Sequence, residues 1–250
     1  MDKYSDILSS FGTKDTLNPT IWNDVDSDTP NLKPEIRKAL LMIAGEFLEF
    51  LGENIFVDDV RFTGSLANFN WSKFSDIDLH LYVDFEQFEP EDREVYKELF
   101  NLKKTLFNTT HDIRIKGYDV ELYAEDISES HFSTGVFSVL FDEWVHKPEK
   151  ENVKIDKDML MSKAKSMMDK IDNLIEETKN DDYEKAVKQI DTFKDKLKKY
   201  RSSGLEKDGE FSYENLVFKF LRRNGYIEKL FDFKNKLMDK NLSLENQDVE

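Results

Sequence analysis

Hydrophobic positions along the chain first repeat every three to four residues, then every second residue, then every three to four again. From Pro34 to Leu51 the apolar residues Ile36, Leu40, Ile43, Ala44, Phe47, Leu48 and Leu51 lie at helical spacing, and Gly52 follows as a left-handed stop. This predicts a helix over 34–51. Residues 57–62 read as a strand, Gly64-Ser65 as a tight turn opening a short helix, and Ile77, Leu79, Leu81 and Val83 as one face of a second strand. Asp76 and Asp78 begin its other face. A helix is expected from about Asp92 to Phe107, and 112–123 alternates as a hairpin or two linked strands turning at Gly117.

The period returns to that of a helix near Val153. Leu160, Ala164, Met167, Ile171 and Leu174 form one stripe, and Tyr183, Val187, Ile190, Phe193, Leu197 and Tyr200 another, with Asn180-Asp181 between them. A polar, glycine-containing loop is read over 202–210, then a helix with Ser212 as N-cap, a break at Asn224-Gly225, and a last helix to about Lys240. Before Pro34 the sequence is acidic, with turn signals at Asn18-Pro19 and Thr29-Pro30, although Ile21 and Trp22 are suited to docking on the body. Four regions are therefore expected: an N-terminal arm (1–33), a mixed α/β (α+β) domain with a small mixed sheet flanked by helices (34–150), an all-helical unit (151–242) and a disordered tail (243–250). Met159, Met161, Met167 and Met168 read as packing residues rather than a metal or haem site.

Composition narrows the function. The chain has 250 residues, no cysteine, 36 Lys+Arg and 52 Asp+Glu, for a net charge of -16. Absence of Cys excludes a disulfide scaffold, Cys-ligated zinc, iron–sulfur clusters and a thiol nucleophile. No apolar run approaches the roughly 20 residues of a membrane span, and the first residues lack a signal-peptide pattern. A cytoplasmic protein without a membrane partner is expected. Residues 1–150 carry 15 basic and 30 acidic side chains, a net of -15, which argues against duplex DNA and for divalent cations.

Candidate chemistry is concentrated in one constellation. The stretch Phe62-Thr63-Gly64-Ser65 ends a strand in a turn where a phosphate can approach closely. Ten residues later comes Ser75-Asp76-Ile77-Asp78-Leu79, whose two carboxylates share a strand face about 7 Å apart at Cα. Such a pair suits Mg²⁺. A third carboxylate within Val120-Glu121-Leu122 completes a site for two ions, Mg²⁺ or Mn²⁺. Asp119 falls on the same face as Glu121 and is the alternative; the apolar neighbours of Glu121 favour it.

These residues resemble the signature of the polymerase-β-type nucleotidyltransferase superfamily, and the order of elements is similar over nearly the whole chain. Less extensively, 62–80, 117–123 and 214–226 resemble nucleotidyltransferase-domain proteins of large tailed phages. The resemblance implies a nucleotidyltransferase palm in the first half, with Asp76, Asp78 and Glu121 catalytic and metal-binding, and Gly64, Ser65, Ser75 and Lys219 contacting a nucleoside triphosphate such as ATP. It further implies transfer of a nucleoside monophosphate to an acceptor hydroxyl with release of pyrophosphate. One departure is Phe69, where many relatives have glycine. The alternative is an antitoxin-like or regulatory protein that keeps the fold and acts by binding a partner.

Weaker signals surround this core. The segment 133–137 reads either as a nucleotide contact or as a turn into a helix, and Trp144 either as a base-stacking or a core residue. The histidines show no metal spacing, though His80 alternates with the Asp pair. Residues 194–236 hold 12 Lys+Arg against 7 Asp+Glu. This stretch, with Lys219, Arg222 and Arg223 foremost, is expected to meet a small acceptor or a short single-stranded RNA end.

Overall fold

The computed structural model describes residues 3–52, 55–128, 133–151 and 153–243. In chain order these form α1 (Lys3–Ser9), β1 (Trp22–Asn23), β2 (Asn31–Leu32), α2 (Pro34–Leu51), β3 (Val57–Thr63), β4 (Ile77–Val83), α3 (Arg93–Thr110), β5 (Arg114–Ile115), β6 (Tyr118–Asp126), β7 (Val136–Ser138), β8 (Glu143–His146), α4 (Lys157–Thr178), α5 (Tyr183–Asp208), α6 (Tyr213–Arg223) and α7 (Tyr226–Leu242). The chain divides into two compact units, residues 13–152 and residues 1–12 with 153–250. The fold is mixed α/β, with a small sheet, flanking helices and a helical C-terminal region.

In the sheet unit the strands are ordered β5-β6-β4-β3-β7-β8. Among the described residues β4 and β6 run parallel and the other pairs are antiparallel. A parallel pair needs a crossover, and α3 lies on that connection. One sheet face is apolar, with Val60, Phe62, Ile77, Leu79, Leu81, Val120 and Leu122 buried in a core that includes Ile36, Leu40, Phe47, Phe100 and Phe107 from α2 and α3. The opposite face carries the polar residues of the same strands. Period-2 alternation thus separates the core from the chemistry. Gly52 ends α2 at φ 137° and ψ 170°, a positive-φ conformation outside the left-handed helical region.

The arm read over 1–33 is not one piece. Residues 3–9 are helical and fall in the helical unit, whereas 13–33 belong to the sheet unit. The latter are held by rings: buried Trp22 stacks on Phe62 (5.6 Å) and Trp144 (4.7 Å) and meets Phe137 edge-on (5.1 Å). Both indoles also donate, Trp22 Nε1 to the Leu66 carbonyl and Trp144 Nε1 to the Pro30 carbonyl, each at 2.7 Å. Trp144 is therefore half-buried and packed against the core. The segment after Gly135 enters no helix: β7 is a short strand, buried at all three positions and paired with β3.

The helical unit shows one clear departure from the sequence pattern. The loop expected over 202–210 is helix as far as Asp208, because Gly204 marks a close approach rather than a break. A Cβ there would lie 2.5 Å from Glu214 Cβ and 2.7 Å from Ser212 Oγ. Ser212 caps α6 as expected, accepting from Asn215 N. Of the four methionines only Met168 is buried, and Met159 is 45% exposed. Beyond Ser243 the expected tail lies outside the described residues. No helix among the described residues is long and apolar enough to cross a membrane.

Two stability outcomes follow from this packing. Trp22→Ala should cost about 3–5 kcal/mol through cavity formation, and Gly204→Ala about 1–3 kcal/mol through overpacking at α5 and α6. Urea denaturation midpoints would measure both. A cost below 1 kcal/mol for Trp22→Ala would contradict the aromatic anchor.

Candidate metal centre

Three strand positions bring the carboxylates together. Asp78 is the second residue of β4, Asp76 directly precedes that strand, and Glu121 lies in β6 opposite Asp78 in the parallel ladder. One oxygen from each lies within 4.8 Å of the others, and all three side chains are half-buried. At this spacing each pair of negative charges repels by a few kcal/mol at a protein-like effective dielectric. A hard divalent cation with oxygen ligands relieves that repulsion, and the donor set fits one. The alternative third ligand is placed elsewhere: Asp119 is exposed and ion-paired with Arg114 at 2.8 Å.

The turn beside the carboxylates depends on glycine. Gly64 has φ 79°, and a Cβ on it would come within 2.9 Å of Asp78 Cγ and nearer still to Oδ2. The Asp78 carboxylate therefore occupies the space that a side chain at 64 would fill. Ser65 opens a single 3-10 turn, 65–67, and its hydroxyl donates to Ser75 Oγ at 2.7 Å. Ser75 Oγ also accepts from Ser72 N at 2.9 Å. Ser75, which is buried, thus ties the loop to the turn. Residues of the 13–33 segment brace the same loop, with Lys14 N donating to the Phe69 carbonyl (2.6 Å) and Trp71 Nε1 to the Thr16 carbonyl (2.9 Å).

Two supports at Glu121 were not apparent in the sequence. Tyr123 lies two residues along β6 on the same face, and its hydroxyl donates to Glu121 Oε2 at 2.7 Å. Burial, reinforced by Asp78, Glu121 and Asp76, drives the Tyr123 phenol far above its ordinary pKa. It remains a neutral donor. Asn108 of α3 donates from Nδ2 to the Leu122 carbonyl (2.9 Å) and accepts from Leu122 N (3.0 Å). With β5 paired only near 118–119, this side of β6 would otherwise lack partners at Leu122. The period-2 pattern marks Tyr123 as sharing the face of Glu121, but neither long-range contact of Asn108 has a local signature.

The polar face continues away from the carboxylates. The His80 ring stacks on Tyr123 at 4.5 Å and its Nδ1 lies 3.0 Å from Glu125 Oε2. Beyond it, burial and Glu125 raise the Tyr82 phenol pKa, and Arg61 lies over the Tyr82 ring at 4.1 Å. Arg61 donates to buried Asp59, which also accepts from Ser138.

The remaining candidates belong to the helical unit. Lys219 is half-buried in α6; burial lowers its pKa, and Arg223, Arg222 and Arg201 act in the same sense against Glu210. Arg222 is exposed. Arg223 is engaged locally, donating to Ser10 Oγ at 2.7 Å and lying over the Phe11 ring at 4.8 Å, so it joins the α1 segment to α6.

No family model matches the chain, and no curated protein matches its sequence. Among solved structures it is similar to a STING-associated CdnE c-di-GMP synthase from Capnocytophaga granulosa, at 12% identity over 84% of each chain and a TM-score of 0.24. At that level the chemistry rests on the side chains themselves.

Removal of the phenolic hydroxyl tests the support of Glu121. Tyr123→Phe should leave urea stability within about 1 kcal/mol while weakening Mn²⁺ binding several-fold by titration calorimetry. Gly64→Ala, strained in φ and forced against Asp78, should weaken it further. Wild-type affinity in both variants would show that neither residue shapes the carboxylate cluster.

Proposed function

We propose that the protein is a metal-dependent nucleotidyltransferase, transferring a nucleoside monophosphate from a nucleoside triphosphate to an acceptor hydroxyl with release of pyrophosphate. The convergence of Asp76, Asp78 and Glu121 from two adjacent strands carries this reading. The Gly64-Ser65 turn beside them and the sequence resemblance support it.

Asp76 and Asp78 would hold divalent cations from one strand and Glu121 from its neighbour. Bound Mg²⁺ or Mn²⁺ would supply Lewis-acid neutralisation of triphosphate charge and a lowered pKa for the attacking hydroxyl. The chain's own residues set the geometry. Tyr123 fixes one oxygen of Glu121 and leaves the other for ligation. Gly64 lets the Asp78 carboxylate lie against the turn, which the Ser65 hydroxyl ties to Ser75, and the backbone N–H groups of the turn would meet phosphate oxygens. Gly64, Ser65 and Ser75 are the proposed nucleotide contacts beside the carboxylates, and Lys219 is proposed on the sequence resemblance alone. Positioning and electrostatics dominate phosphoryl transfer, so no further base is required.

The acceptor proposed is a small molecule or a short single-stranded RNA end. A net charge of -15 over 1–150 disfavours an extended duplex.

The test incubates the protein with Mg²⁺, each α-labelled nucleoside triphosphate and candidate acceptors, and follows the label. Wild-type protein should move label to an acceptor and release unlabelled pyrophosphate. The Asp76→Asn, Asp78→Asn variant should keep its circular dichroism spectrum and lose at least about a hundredfold in rate. Equal turnover by a folded double variant would exclude this mechanism.

A further inference from the structure

The helical unit contains a groove that the proposed transfer chemistry does not use. Helices α4 and α5 are joined by the short connection 179–182, and between them lies a cavity of about 520 Å³. A second cavity of about 470 Å³ continues it, the two sharing Leu174, Phe193 and Lys196. From Lys185 to Tyr200 the lining runs about 22 Å along α5 at 1.5 Å per residue. Its floor is apolar and partly aromatic, with Leu174, Phe193 and Tyr200 half-buried and Leu197 buried. Its rim carries Lys170, Lys185, Lys188 and Lys196 against one carboxylate, Glu177. Lys185 is held by Asp181 at 3.0 Å, whereas among the described residues Lys170, Lys188 and Lys196 have no ion-pair partner.

Rings and cations have to be explained together. Lysines on a solvated helix face need no aromatic floor, and an apolar seam between helices needs no unpaired ammonium groups along both sides. A strand of bases joined by phosphates uses both, because every base has a π-face to stack and every phosphate a charge to neutralise. An acidic peptide would use only the cations. A duplex is too wide for the groove between helices packed at about 8–10 Å. We infer that the α4–α5 groove binds a short single-stranded oligonucleotide, with bases on Phe193 and Tyr200 and phosphates along Lys170, Lys188 and Lys196. This surface lies wholly within the helical unit and shares no residue with the carboxylate cluster, so it stands or falls independently of the transfer reaction.

Anisotropy titration of the full chain with a fluorescein-labelled oligouridylate, at several salt concentrations, tests the inference. Affinity should fall with salt, with a log–log slope of about -0.7 for each phosphate neutralised on a single strand. The exposed-site variant Lys170→Glu, Lys188→Glu, Lys196→Glu should weaken binding at least about tenfold and reduce the slope by about 2. Tyr200→Ala should weaken it at least about fivefold at unchanged slope. The Asp76→Asn, Asp78→Asn variant should bind like the wild type. No binding by wild-type protein at low salt, unchanged affinity in the folded lysine variant, or equal competition by a polyglutamate peptide or a duplex of the same length would each overturn the inference.

Discussion

The parallel ladder between β4 and β6 sets Asp78 beside Glu121, and much of the sheet unit serves to hold that register. Sliding a strand by one residue turns every side chain to the other face. A slip here would present Val120 or Leu122 where Glu121 belongs and push a carboxylate into the apolar layer beneath α2 and α3. That layer therefore protects the site without touching it: Ile77, Leu79 and Leu81 are buried opposite Val120, Leu122 and Ala124 in the same ladder. The crossover helix adds a direct clamp. Asn108 bonds both backbone groups of Leu122, the residue between Glu121 and Tyr123.

Held in that register, the carboxylates repel one another, and the fold accepts the cost locally. The Tyr123 hydroxyl offsets part of it as a donor to Glu121. Along the same face Glu125 then lies against the His80 ring and Arg61 pairs with Asp59, whereas Asp76, Asp78 and Glu121 bring three carboxylates together. A local violation of charge balance inside an otherwise consistent fold is where a functional site is to be sought.

Much of this was legible in the sequence because local periodicity encodes it. The 34–51 stripe gives α2, and the alternation from Ile77 to Val83 gives both a buried face and the two aspartates opposite it. The apolar neighbours of Glu121 set it apart from Asp119 in the sequence, and in the ladder it is Glu121 that lies opposite Asp78. What could not be read depends on contacts distant in sequence. Three buried residues, Val136 to Ser138, are too few to show a period, and pairing with β3 and β8 makes them a strand. Gly204 carries the composition of a loop, yet it is the close approach of Glu214 and Ser212 that determines its use. Trp22 and Trp144 each resemble isolated aromatics until folding stacks one on the other.

The division of the chain has a consequence for its synthesis. The sheet unit is inserted, in sequence, between two pieces of the helical unit, residues 1–12 and 153–250. During translation Trp22 must wait for Trp144 to emerge before the aromatic anchor can close. The α1 segment waits longer still, because Arg223, its partner through Ser10 and Phe11, follows it by more than 200 residues. Long-range pairings of this kind slow folding through the entropy of the loops they close. The carboxylate cluster therefore draws only on residues 13–152, whereas the α1 segment draws its partner from across the whole of that inserted unit.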